Sequence, residues 1–269
     1  MVGAMSRLLL ILACMAPLLM NAQTPMLTTP HEPQHDENPN LHIEVWSDIV
    51  CPFCYLGKRR LERALATLPE DLSIRVEWKS FELDPERVTR TDAPVVQLLA
   101  EEKGMPIERM QQMTEYVTAM AREEGLAYAL DRSIWTNTFQ AHVLLHWAKL
   151  QGKQHAMKER LLRAHFMEGA NVDDRATLLR LAVEVGLDEE RTREALDNPD
   201  LANDVRSDEY ESRTLGIRGV PFFLINGETA ISGAQPMEAF QDALNGVLST
   251  LNTEPPAEGP VCNPDGECD

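Results

Sequence analysis

Ser47-Asp48-Ile49-Val50-Cys51-Pro52-Phe53-Cys54-Tyr55-Leu56-Gly57 is the stretch from which the fold is read. Upstream, Leu41, Ile43 and Val45 alternate with His42 and Glu44, the period-two pattern of a half-buried strand over Leu41 to Trp46. Downstream, Leu61, Ala64, Leu65 and Leu68 mark one face of a helix that Pro69 stops. Ser73 to Phe81 reads as a second strand, with Ile74, Val76, Trp78 and Ser80 on one side. The opening is strand, helix, strand, with a Cys-x-x-Cys pair at the head of the helix, and a parallel crossover of this kind is right-handed.

No convincing strand appears between residues 93 and 200. Helical stretches are expected at about 93–103, 106–124, 137–151, 153–166, 173–185 and 188–196, punctuated by glycines at 104, 125, 152, 169 and 186. A further helix at 203–215 ends at Gly216. Gly219-Val220-Pro221 then leads into the apolar run Phe222 to Ile225, Asn226-Gly227 signals a hairpin, and Thr229 to Ser232 is the returning strand. A last helix runs to about Leu251. The expected architecture is α/β: a four-stranded mixed sheet, thioredoxin-like, with a large all-helical insertion.

The ends of the chain differ from its middle. Arg7, the apolar run Leu8 to Leu19 and Met20-Asn21-Ala22 read as a signal peptide over residues 1–22, cleaved after Ala22. Export, to a periplasm for example, follows from that reading; a mis-assigned start on a cytoplasmic protein is the alternative. Cys14 loosely resembles a lipidation site, although Leu12 is large for its place. Residues 23–40 read as a flexible linker. Their His31-Glu32-Pro33-Gln34-His35 matches a zinc-protease pattern, but that chemistry needs both histidines on one helical turn, which Pro33 opposes. Residues 252–269 form a proline-rich tail.

With 43% hydrophobic and 25% charged residues the composition is that of an ordinary globular protein. The roughly 210 residues between the two ends suffice for one good core. A net charge of -18 argues against a nucleic-acid partner, which needs a basic surface. No apolar run of about 18 residues follows residue 22, so no membrane span is expected in the main body.

The chemistry is expected at Cys51 and Cys54. A cysteine at a helix start meets free N–H groups and the positive end of the dipole, and the reacting species is the thiolate. The dipole contributes roughly 0.3–1 kcal/mol, up to about 2, and one pKa unit is about 1.4 kcal/mol; hydrogen bonds must supply any further drop. Cys51 is therefore the expected nucleophile, and the more buried Cys54 the resolving thiol. Phe53 offers no proton donor, so a less oxidising pair is expected than one with histidine there. Zinc is the competing reading of Cys-x-x-Cys, but a structural site needs four ligands and the other pair lies in the tail.

These motifs, with Thr136-Asn137-Thr138, Ala141-His142 and Gly216-Ile217-Arg218-Gly219-Val220-Pro221-Phe222-Phe223, resemble the DsbA family of thioredoxin-fold proteins, most closely its FrnE-like branch, over about residues 41–251. The resemblance implies a thiol–disulfide oxidoreductase with no bound cofactor or metal, acting on protein or small-molecule disulfides or dithiols and recycled by an unidentified redox partner. It implies a cis Val220–Pro221 bond beside the cysteines, with the backbone at 220 open to substrate. Glutathione-dependent isomerases and transferases of the same fold use a serine where this chain keeps cysteine; they and a non-catalytic binding module are the rival readings.

Other residues carry weaker signals. Asn137 and His142 are read either as a polar cleft edge or, preferably, as part of a capped helix start with a hydrogen-bonded histidine. Asp48 is expected in a turn or at the surface, with tuning of the nearby sulfur as the alternative; Lys58, Arg59, Arg60 and Arg63 are expected on a solvated helix face, with screening of negative substrates as the alternative; and Met110, Met113, Val117 and Met120 read as a core stripe before an adaptable peptide groove. Cys262 and Cys268 flank a Pro-Asp-Gly turn; a local disulfide, a relay with Cys51–Cys54 across a tail that reaches roughly 30 Å, and a metal site or no role all remain open. FrnE-like tails typically have four residues between these cysteines, where this chain has five.

Overall fold

The computed structural model describes residues 40–251. The signal-like segment with Cys14, the linker and the tail with Cys262 and Cys268 lie outside the described residues. The first strand, β1, is Leu41–Ser47, and helix α1 is Pro52–Leu65. Strand β2 follows at Ile74–Ser80. Seven helices come next: α2 (Val95–Lys103), α3 (Ile107–Glu123), α4 (Phe139–Leu150), α5 (Gln154–Glu168), α6 (Arg175–Glu184), α7 (Glu189–Ala195) and α8 (Pro199–Thr214). The hairpin of β3 (Phe222–Ile225) and β4 (Thr229–Ser232) precedes α9 (Met237–Leu251).

The sheet order is β2-β1-β3-β4, with β1 parallel to β2 and antiparallel to β3. This is the expected four-stranded mixed sheet of a thioredoxin-like fold. Leu41, Ile43 and Val45 on one face of β1 meet Leu61 and Ala64 of α1 and Phe240, Leu244 and Val247 of α9 in one apolar core. A second core, built from α4 to α8, is centred on Leu144, Leu161 and Leu181. A third joins α1 to α3 and α5 through Tyr55, Leu56, Val117, Leu162 and Phe166. Helix α1 therefore packs against both the sheet and the helical block.

Local signals account for most boundaries. Asn226 and Gly227 both have positive φ (50° and 73°), as a tight hairpin of this type requires. Asn226 also accepts the His42 N–H at 2.7 Å, tying the turn to β1. Helix α8 starts earlier than the expected residue 203: Asn198 caps it, accepting from Asp200 N at 2.9 Å, and Pro199 fits the first helical position. Helix α2 starts at Val95 because Pro94 precedes it as the cap. Edge strand β2 is blunted by a side chain from α5: Gln154 accepts from Trp78 N (3.1 Å) and donates to Trp78 O (2.8 Å), occupying a backbone position open to strand pairing.

Two surface expectations are corrected. Lys58 is not on a solvated face: it is 1% exposed and paired with Glu62 and Glu159, because the helical block lies over that side of α1. Arg59 joins Glu62 and Glu159, and Arg60 is held by Glu124 (2.7 Å), while Arg63 is largely solvated. The methionine stripe of α3 is only partly core: Met110 and Val117 are buried, whereas Met113 is 47% exposed.

Gly57 sets how closely α1 approaches the β3 end of the sheet. A Cβ there would lie 3.0 Å from both Phe223 Cζ and Pro221 Cγ. Gly57→Ala is expected to destabilise the protein by about 1–3 kcal/mol, the usual range for overpacking, read as a lower midpoint in chemical denaturation; an unchanged midpoint would show that the Pro221 segment yields freely.

Candidate active site

Strand β1 ends at Ser47, and Asp48, Ile49 and Val50 turn the chain into α1. Cys51 is the N-cap of that helix, in an extended conformation (φ -87°, ψ 111°), and Pro52 occupies its first turn. Proline costs the helix nothing there, since that N–H has no intrahelical acceptor. The Cys51 sulfur thus sits where the unpaired amides of the first turn begin. Both cysteines are free thiols, 4% (Cys51) and 1% (Cys54) exposed.

The Val220–Pro221 bond is cis. The Val220 carbonyl oxygen lies 3.4 Å from Cys51 Sγ, within hydrogen-bond reach of it. Val220 lies just outside the β1–β3 ladder, whose terminal pair is Trp46 with Phe222. Tyr128 Oη donates to Pro52 O at 2.7 Å, and its ring stacks on Phe166 of α5 with centroids 4.8 Å apart. Phe53, between the cysteines, is 39% exposed.

Beneath the pair lies a buried polar layer. Asp48, 1% exposed, accepts from Ile49 N (2.7 Å) and Leu83 N (2.8 Å) and pairs with His142 Nε2 (3.3 Å). Burial pushes its pKa up, but these partners more than compensate, and the carboxyl ends below its ordinary value. Burial lowers the His142 pKa against the pull of Asp48. Lys158 of α5, fully buried, donates to Ser47 O at 3.2 Å.

The two sulfurs differ in acidity. Burial opposes ionisation of Cys54, but a hydrogen bond from Cys51, the Lys158 charge, the Ser47 hydroxyl and the Asp48 amide outweigh it, and its pKa falls. Cys51, donating to Cys54 and buried beside it, is pushed well above the ordinary thiol range. The two thiols lie beside each other, so their titration belongs to the pair. A dipole argument weighs only the start of α1; the fold adds the charge of Lys158, from a helix far along the chain, which favours the ionised form of Cys54. Among the described residues no group of three or more His, Cys, Asp or Glu could hold a metal ion, and no helix is long and apolar enough to cross a membrane.

A profile of the DSBA-like thioredoxin domain matches residues 42–245. The chain belongs to the DsbA-like thioredoxin family. It is 32% identical over 209 residues to YwbO, an uncharacterized Bacillus subtilis protein, across 76% of this chain and 96% of that one. A probable DsbA oxidoreductase from Streptomyces coelicolor matches with a TM-score of 0.74 and 39% identity, over 85% of this chain and 98% of that one. The Pseudomonas aeruginosa cytosolic disulfide reductase DsbM, solved with GSH, shares the fold at 19% identity (TM-score 0.53, 79% of this chain and 98% of that one).

In this DsbA-family chain the residues singled out in sequence come together unequally. Cys51, Cys54, Val220 and Pro221 meet at one point. His142 reaches the same place only through Asp48 and is fully buried, so it forms no open cleft edge. Asn137 secures the start of α4, accepting from Phe139 N (2.8 Å), and donates to Arg87 O (3.1 Å); the Thr138 side chain makes no capping bond. Asp48 is neither a turn residue facing solvent nor a bystander. Lys158 and Tyr128 carried no sequence signal beyond their helical or loop setting.

Asp48→Asn keeps the shape but cannot accept from Leu83 N with the same charge. The native pKa of Asp48 is depressed, so its contribution is present above the unfolded value near 3.9 and is lost as pH falls through the native one. Loss of a charge-assisted bond predicts a stability deficit of about 1.5–3 kcal/mol at pH 7. The gap to wild type should narrow toward pH 3 in denaturant titrations; a constant gap would count against an ionised Asp48.

Proposed function

We propose that the protein is a thiol–disulfide oxidoreductase working through Cys51 and Cys54 by a mixed disulfide. The observation that carries this reading is the meeting of two buried free thiols at a helix start with the carbonyl that precedes a cis proline. Cys51, the more accessible sulfur, attacks a substrate disulfide as its proton passes to Cys54. The Cys51–substrate bond forms, and the other substrate sulfur leaves as a thiolate. That thiolate takes a proton from solvent or from Cys54, whose sulfur then attacks Cys51, closes the Cys51–Cys54 disulfide and expels the second substrate sulfur. Two electrons pass from enzyme to substrate. In reverse, the oxidised pair takes two electrons from a substrate dithiol, and the direction follows the relative potentials.

Val220 and Pro221 form the substrate edge, where an extended segment bearing the disulfide would lie along the backbone at 220. No cofactor is needed, since the sulfurs carry the electrons. Protein or small-molecule disulfides and dithiols are the substrate class, with a separate redox partner for recycling. The apolar N-terminal run supports export to an oxidising compartment.

The test is an insulin-reduction and dithiol-oxidation assay. Cys51→Ser should abolish both activities, and Cys54→Ser should accumulate a mixed disulfide visible on non-reducing gels. Full activity in Cys54→Ser together with saturable glutathione binding would instead favour the glutathione-dependent transferase reading. The tail pair is tested separately: if Cys262 and Cys268 relay electrons, changing both to Ser slows turnover of protein disulfides, and unaltered turnover removes that role.

A further inference from the structure

A disulfide between Cys51 and Cys54 closes a small ring through the backbone of Pro52 and Phe53, and two sulfurs bond only in a narrow range of geometries. Two restraints on that ring are local. Pro52 fixes its own φ, and Cys54 N donates to Cys51 O at 3.0 Å, closing the turn from inside. The peptide plane between Pro52 and Phe53, in the middle of the ring, carries a third restraint that comes from outside the helix. Tyr128 Oη donates to Pro52 O at 2.7 Å, across 76 positions of sequence.

The donor is aimed by its surroundings. Tyr128 is almost buried, and its ring stacks on Phe166 of α5 (centroids 4.8 Å apart, planes at 23°) and on Tyr55 of α1 (6.0 Å, 24°). The backbone is tied on either side: Leu126 N donates to Ala121 O at 2.8 Å, and Ala129 N to Phe166 O at 2.7 Å. Burial pushes the phenol far above its ordinary range, so the hydroxyl keeps the proton it donates. The stack asks for a ring at this position, which phenylalanine would supply. The hydroxyl adds the bond to Pro52.

We propose that Tyr128 is a positioning residue for disulfide exchange: its hydroxyl clamps the Cys51-Pro52-Phe53-Cys54 turn to the helical block, so that Cys54 is already placed to attack Cys51. This rests on the oxidoreductase reading of the pair. The clamp acts on the second step. Once Cys51 is joined to a substrate sulfur, Cys54 gives its proton to solvent and its sulfur bonds to Cys51. The Cys51–substrate bond breaks, and the substrate sulfur leaves with the bonding pair and takes up a proton. Two electrons pass from the enzyme pair to the substrate over the two steps, with no further reactant. Attack by Cys51 on an incoming disulfide joins two molecules, and a fixed turn does not shorten that search. Ring closure is intramolecular, and holding its partners in place removes an entropy cost from the barrier. The closed ring is favoured at equilibrium for the same reason.

Tyr128→Phe keeps the ring and removes the bond. Reduced enzyme is mixed with excess insulin, quenched with acid and alkylated, and the species are separated on non-reducing gels. In the variant the mixed disulfide between Cys51 and insulin should form at the wild-type rate and decay about three- to tenfold more slowly, the factor that one hydrogen bond supports. The equilibrium with glutathione should shift by a similar factor toward the dithiol. A hydroxyl that only supports the fold would lower the denaturation midpoint and leave decay and equilibrium at their wild-type values, which would overturn the proposal. Should Tyr128→Phe not fold, Phe166→Leu, which takes away a ring that aims the phenol, is read in the same assay: slower decay supports the clamp, and unaltered decay overturns it. Wild type separates the two levels. A reduced protein that forms no disulfide with insulin or with glutathione disulfide disproves the oxidoreductase reading, whereas equal resolution in wild type and Tyr128→Phe disproves the clamp alone.

Discussion

A thiolate shut away from water must find its compensation inside the protein. In this chain that requirement organises the centre of the molecule. With Cys51 and Cys54 at 4% and 1% exposure, bulk solvent cannot solvate the anion. Burial by itself pushes both thiols toward the neutral form. At Cys54 the compensation comes from several directions at once: the Cys51 thiol, the Lys158 charge, the Ser47 hydroxyl and the Asp48 backbone. Their convergence requires β1, α1 and α5 to meet at one point.

The helical block between β2 and β3 is therefore part of the site. Its α5 carries Lys158, and the loop before α4 carries Tyr128, which holds the Pro52 carbonyl. Its α4 carries His142, the partner of Asp48. The same block covers the polar side of the sheet, where Lys79 pairs with Asp208 and Glu211, and Lys149 with Glu77. Ser80 N donates to Asp208 at 2.8 Å, so α8 also satisfies an edge-strand amide. The block thus seals the sheet edge and the floor of the site together.

Much of this was legible in the residues. Alternation in Leu41 to Trp46, the Asn226-Gly227 turn and the helical spacing of Leu61, Ala64 and Leu65 report local geometry, and local geometry is set by neighbours in sequence. The start of α8 lies earlier than its apolar periodicity indicates, although the signal is present: Asn198-Pro199 is a cap followed by a first-turn proline, just outside the periodic apolar pattern. Asp48 and Lys58 depart from their expected settings for a different reason. A charged residue in a turn or on a helix reads as solvated unless its burial is known, and burial depends on a helix far along the chain.

The amino-acid sequence by itself determined the order of strands and helices, the place of the two cysteines at a helix start and the proline at the head of the returning strand. These follow from propensities and periodicities that act within a few residues. Tertiary structure alone decided what surrounds each sulfur, how Asp48 is paired and that Lys158 lies in the core. Those outcomes depend on desolvation and on Coulomb interactions across a few ångströms, and both are properties of which distant segments come to lie together.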